Sequence, residues 1–181
     1  MRIVTGKQCE EISRFFEQTQ RTARNSFARD GACVPVAIFM REEGNVVFSL
    51  SGLVNHKNAA AMILNSMIER IHPVAFVLVT EAWVARDRAD AASTPKDVAA
   101  FREKYQDSLT EAAPDGTHRP KEGVREAVML QCSAVTGENF MLLAEIVRDG
   151  EKPTLKSWER MDNRYSVGRF VFDVTPLAER Q

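Results

Sequence analysis

The stretch that most constrains this chain is VAFVLVTEAWVARD, Val74 to Asp87, because side chains alternate along a strand and this one is apolar on both faces as far as Val79. One face reads Ala75, Val77, Val79, Glu81, Trp83 and Ala85. The other reads Val74, Phe76, Leu78, Thr80, Ala82, Val84 and Arg86. A strand of this kind is central and needs cover on both sides.

Residues 9 to 29 form an amphipathic helix on a helical wheel, with Cys9, Ile12, Phe15, Phe16, Thr19, Ala23, Ser26 and Phe27 in one sector. The opposite sector holds Glu10, Arg14, Glu17, Arg21 and Arg24, where Glu10 to Arg14 and Glu17 to Arg21 have the favourable i,i+4 order. That face reads as solvated. Val34 to Met40 and Val46 to Leu50 read as a hairpin, since Gly44 and Asn45 tolerate the positive φ of a tight turn. A second helix follows, with a stripe of Ala60, Ile63, Leu64, Met67, Ile68 and Ile71, and stops at His72-Pro73 because the residue before proline disfavours helix. Two helices on one face cannot supply both covers, so the second layer is expected from the rest of the chain or from another subunit.

Asp87 to Glu122 breaks the pattern with charge, Pro95, Pro114 and Pro120, and reads as a partly helical insert. Thr94-Pro95-Lys96-Asp97 has an N-cap, a proline at the first helical position and an acid soon after, so a helix is expected from Lys96 to about Leu109, with Val98, Phe101, Tyr105 and Leu109 as a thin stripe. Val124 to Val135 and Phe140 to Arg148 are further strands joined around Thr136-Gly137-Glu138-Asn139. Leu155 to Glu159 and Arg169 to Asp173 are expected to add short edge strands. The sum is an α+β fold over residues 1–181 as a single domain: a mostly antiparallel sheet of about five to seven strands, two packing helices and the insert at 87–122. Profilin-like and roadblock-like domains share this helix, hairpin, helix, strands order, and their usual work is binding.

Composition bounds the partners. The formal net charge of −1 predicts no general attraction to nucleic acid or anionic membrane. No apolar stretch approaches a membrane span, and the charged opening MRIVTGKQCEEISRFF does not read as a signal peptide, so a cytoplasmic protein is expected. The three cysteines are scattered, which fits reduced, buried thiols.

Chemistry-bearing patterns are scarce. His56, His72 and His118 lie far apart without metal-ligand spacing, and no phosphate-binding glycine loop, dinucleotide fingerprint or nucleophile elbow occurs, so neither a metal nor a cofactor is expected. Glu81 is the most informative acid: on a covered face with Val79 and Trp83 it would lose hydration unless Arg86, Arg125 or another donor answers it. The simpler reading is that Glu81 marks where the strand leaves the core and Trp83 closes that edge. Glu126 and Glu145 are the other acids on strands. Either beside Glu81 on a neighbouring strand would make a paired-carboxylate site.

Thr80-Glu81-Ala82-Trp83-Val84-Ala85-Arg86, followed by Arg125-Glu126-Ala127-Val128-Met129, resembles a pattern in small bacterial and phage proteins over residues 74 to 148. The resemblance implies a prokaryotic or viral cytosolic setting and carries no activity or ligand with it. The expectation is therefore a non-enzymatic module that binds a protein or itself as a homodimer, with Met62, Phe101 and Tyr105 as contact residues. The alternative is a small enzyme or ligand binder using Glu81, with Trp83 as an apolar wall and Arg86 or Arg125 as anion donor. A third reading, nucleic-acid binding through Arg14, Arg21 and Arg24, sits poorly with the near-neutral charge.

Overall fold

The computed structural model describes residues 5–53, 56–85, 103, 110–112, 114 and 118–162. It is an α+β fold. The first helix, α1 (Gly6–Asp30), starts from a capping box in which the Thr5 side chain accepts the Gln8 N–H and the Gln8 side chain accepts the Thr5 N–H, each at 3.3 Å. It ends at Gly31, whose φ of 73° places it in the left-handed region, with its N–H donating to the Phe27 carbonyl. A side chain there would be strained, and its Cβ would lie 3.3 Å from Pro153.

Two strands follow, β1 (Val36–Met40) and β2 (Val46–Ser49), joined as expected through Gly44 at φ 127°. The second helix, α2 (Lys57–Ile71), stops at His72, which takes φ 48° and ψ 55° before Pro73. The long strand β3 (Ala75–Ala85) pairs with β1 on one side and β6 (Val124–Ala134) on the other, and β6 pairs with β7 (Asn139–Val147). Short strands β8 (Thr154–Leu155) and β9 (Glu159–Asp162) both pair with β7. Among the described residues the result is a seven-stranded antiparallel sheet in the order β2-β1-β3-β6-β7, finished by β8 and β9. Within the insert, β4 (Thr110–Ala112) and β5 (His118–Pro120) form a separate antiparallel pair that the sequence did not announce. Of the helix expected from Lys96 to Leu109, Glu103 is described and is helical, and the other residues, like the strand expected at Arg169 to Asp173, lie outside the described residues.

The placement of the helices corrects one expectation. They sit on opposite faces of the sheet, so the two-sided apolar character of β3 is met by one helix on each side. Ile12, Phe15, Phe16, Ala23 and Phe27 of α1 pack with Ala75, Val77 and Val79 of β3, with Val128, Leu130 and Cys132 of β6, and with Phe140 of β7. Ala60 and Leu64 of α2 pack with Ala37, Phe39, Leu50, Phe76 and Leu78. Strand alternation sends Val77 and Phe76 to different helices, which is why the sequence shows no polar face there.

Arg24 also departs from its expected place on a solvated face. Its guanidinium donates to the carbonyls of Leu155 at 3.3 Å and Lys156 at 2.6 Å, and lies 5.8 Å from the ring centre of Trp158. It ties α1 to β8. Among the described residues, the i,i+4 ion pair on the solvent side of α1 is Lys7–Glu11 at 3.8 Å, in place of the expected Glu10–Arg14 and Glu17–Arg21 pairs.

Candidate functional site

Glu81 lies on the α1 face of β3, opposite Val128 in the β3–β6 register. Its Oε1 accepts the backbone N–H of Cys33 at 2.6 Å. Cys33 follows the α1 cap, so this contact fastens the chain leaving α1 to the central strand. Burial, with the Glu81 charge second, pushes the Cys33 thiol up to about 11. Its sulfur lies 3.7 Å from the Ala23 carbonyl, as a protonated thiol donating a weak hydrogen bond would. The strand does not leave the sheet at Glu81: pairing with β6 continues to Ala85 opposite Val124. Nor does Trp83 close an edge, since it is 44% exposed beside Glu126.

The other two acids separate by face. Glu126 pairs across from Trp83 and shares the α1 face with Glu81, while Glu145 pairs across from Ala127 on the opposite face. Glu126 accepts two hydrogen bonds from Arg148, at 2.7 and 2.8 Å, a bidentate pair. That hydrogen bonding holds its carboxyl below the usual value. Glu145 receives Lys156 at 2.9 Å and also Arg125, and Lys156 first and Arg125 second hold it low as well. Acids held ionised by cations on a sheet surface tie strands together. They are poorly placed to donate a proton at neutral pH.

An opening in the described surface lies elsewhere. A groove of about 290 Å³ lies between α1 and the β1–β2 hairpin, with Phe15, Val36, Ile38 and Val79 among its apolar lining and Gln18 and Thr22 on its helical wall. It exists because α1 lies over β3, β6 and β7, half-covers Val36 and Ile38 of β1, and leaves Val47 of β2 exposed on the same face. Val34 and Val47, which also line it, are 59% and 64% exposed.

The outer side of β2 borders this groove, and its backbone can be read from the ladder. Leu50 N–H donates to the Pro35 carbonyl at 2.8 Å, so by antiparallel alternation Phe48 and Val46 also turn their backbone groups toward β1. Val47 and Ser49 turn theirs outward. Among the described residues no strand pairs with that side of β2. From Gly44 to Gly52 the chain reads GNVVFSLSG, without charge or proline. The far edge of the sheet differs: β8 has two residues between Pro153 and Lys156, and β9 reads Glu-Arg-Met-Asp. Short strands, charges and prolines are how sheet edges are protected from pairing. Both outer strands are four residues or fewer, and among the described residues the two edges differ in charge: β9 carries it and β2 does not.

Of the remaining residues singled out in the sequence, Met62 is 74% exposed on α2, away from the groove lining. Arg125 is engaged by Glu145 on the α2 face, remote from Glu81 on the other. Arg86, Phe101 and Tyr105 lie outside the described residues. Val47 and Ser49 were missed. Their signal was present as an uncharged hairpin arm, but an edge strand is recognisable only once strand order is known. Among the described residues no three His, Cys, Asp or Glu side chains converge as a metal site requires, and no helix is long and apolar enough to cross a membrane. The chain is thus an α+β protein in which, among the described residues, an uncharged sheet edge without a paired strand lies beside a mostly apolar groove. No protein-family profile, curated protein or solved structure matches it.

Proposed function

We propose that this protein is a non-enzymatic binding module that takes an extended polypeptide segment at the outer edge of β2. The observation that carries the reading is the contrast between the two sheet edges. Val47 and Ser49 present backbone donors and acceptors in a segment, Gly44 to Gly52, that itself holds neither charge nor proline, while β8 is shorter and β9 is charged. Strand addition draws its affinity from such backbone groups and its selectivity from side-chain pockets on alternate residues. The groove beside Val47 is such a pocket.

The alternative, a small enzyme or ligand binder built on Glu81, has less support. Glu81 is occupied by the Cys33 N–H, and the Arg148 guanidinium is held by Glu126. Photocrosslinking from position 47 in cell lysate, with the crosslinked peptides identified, tests the proposal. Crosslinks to a polypeptide from position 47 and none from position 21 on α1 are expected. Equal labelling from both positions, or none from either, would overturn it.

A further inference from the structure

We infer that the occupant of the β2 edge is the β2 of a second copy of this chain, forming a twofold dimer with one continuous sheet. This inference rests on the binding reading above and names its partner. An antiparallel edge is self-complementary about a twofold axis normal to the sheet, because each residue that presents an N–H and a C=O meets a residue presenting the same pair. Val47 and Ser49 are the outward residues of β2. The register that uses both pairs Val47 with Ser49 of the second copy and Ser49 with Val47 of the second copy. Phe48 then meets Phe48 of the second copy on the axis.

Three features of the molecule favour a copy over an unrelated strand. The segment Gly44 to Gly52 is uncharged, so two copies meet without repulsion, and the net charge of −1 adds little at longer range. Phe48 is partly buried against the α2 core and lies at a non-hydrogen-bonded position, where facing Cα atoms come to about 4.5 Å and aromatic pairs are stabilising. The other edge of the sheet carries Lys156, Glu159 and Arg160, which disfavours β2 pairing with β9 of another molecule and so favours a closed dimer over a filament. The ladder is short, and a contact below about 1,200 Å² belongs to the weak, transient class. Half-dimerisation is expected on the order of 100 µM.

The test uses the full chain. Sedimentation velocity from about 5 to 500 µM spans the expected midpoint. It should show a monomer–dimer equilibrium that Val47→Lys weakens by about tenfold or more while leaving the circular dichroism unchanged. In a Cys9→Ser background, Phe48→Cys should give an intermolecular disulfide with oxidised glutathione, since the expected Cα separation of about 4.5 Å lies within disulfide range. Val47→Cys, offset from its own copy, should give far less. Should Phe48→Cys fail to fold, the sedimentation of wild type against Val47→Lys decides alone. A chain that stays monomeric throughout, or a dimer indifferent to Val47→Lys, overturns the inference. If the monomer still crosslinks from position 47 to a different protein, the binding reading survives and only the second copy is wrong.

Discussion

The Glu81 carboxylate accepts the backbone N–H of Cys33 at 2.6 Å, joining the exit of α1 to the middle of the central strand across 48 residues of sequence. A carboxylate bound to a partly buried amide is stronger than a neutral hydrogen bond, and its loss leaves the amide without an acceptor. Glu81→Ala is expected to cost about 2 kcal/mol in urea unfolding, whereas Glu81→Gln, which keeps an oxygen there, should cost about half that. Equal losses for the two variants would show that charge, and not the acceptor, is what matters.

Arg24 offers a second check on how α1 is held. Arg24→Lys keeps the charge but has no planar fork with which to reach the Leu155 and Lys156 carbonyls together beside Trp158. Both Arg24→Lys and Arg24→Ala should lower stability by about 1 kcal/mol or more, with Trp158 fluorescence reporting a loosened β8. A lysine variant as stable as wild type would mean the bidentate geometry is dispensable.

Thiol reagents should distinguish the three cysteines. Cys9 is exposed on the first turn of α1, contrary to its place in the apolar sector of the wheel, while Cys33 and Cys132 are buried. Burial raises Cys33 to about 11 and Cys132 to about 12. In native protein at neutral pH one thiol should react promptly, and all three only after unfolding. Prompt labelling of Cys33 would show that the groove opens to its sulfur.

Stability against pH should be bounded on both sides. Glu126 and Glu145 are held below the ordinary carboxylate value of 4.5 in the folded state, so their contribution is present above 4.5 and is lost as pH falls through the lower folded values. The two buried thiols are raised from 9.0, so the unfolded chain ionises first and stability declines as pH rises from 9.0 through about 11 for Cys33 and about 12 for Cys132. Thermal melts across pH should therefore show a plateau between these limits, and Cys132→Ala should reduce the alkaline decline. An unchanged alkaline limb in that variant would assign the decline to other groups.

Much of the fold was legible because it rests on local signals. The 3.6-residue period of Ile12, Phe15, Phe16, Thr19, Ala23 and Phe27, the Gly44 turn and the His72-Pro73 stop each act within a few residues, and each reappears in the structure. The two-sided strand at Val74 to Val79 also located the sheet's centre. What was not legible depends on strand order and helix placement. Whether α1 and α2 share a face, whether Glu126 or Glu145 stands on the side of Glu81, and which hairpin arm is an edge are relations between distant segments. Arg24 shows the same limit, since its carbonyl partners at Leu155 and Lys156 lie more than 130 residues away.

The claim that β2 pairs outward is tested most directly by amide exchange followed residue by residue in dilute and in concentrated protein. Val46 and Phe48 face β1 and should be protected alike at both concentrations, while Val47 and Ser49 should exchange freely when dilute and slow as concentration rises. Exchange of Val47 and Ser49 at the unprotected rate at every concentration, with Val46 and Phe48 protected throughout, would contradict the pairing of this edge.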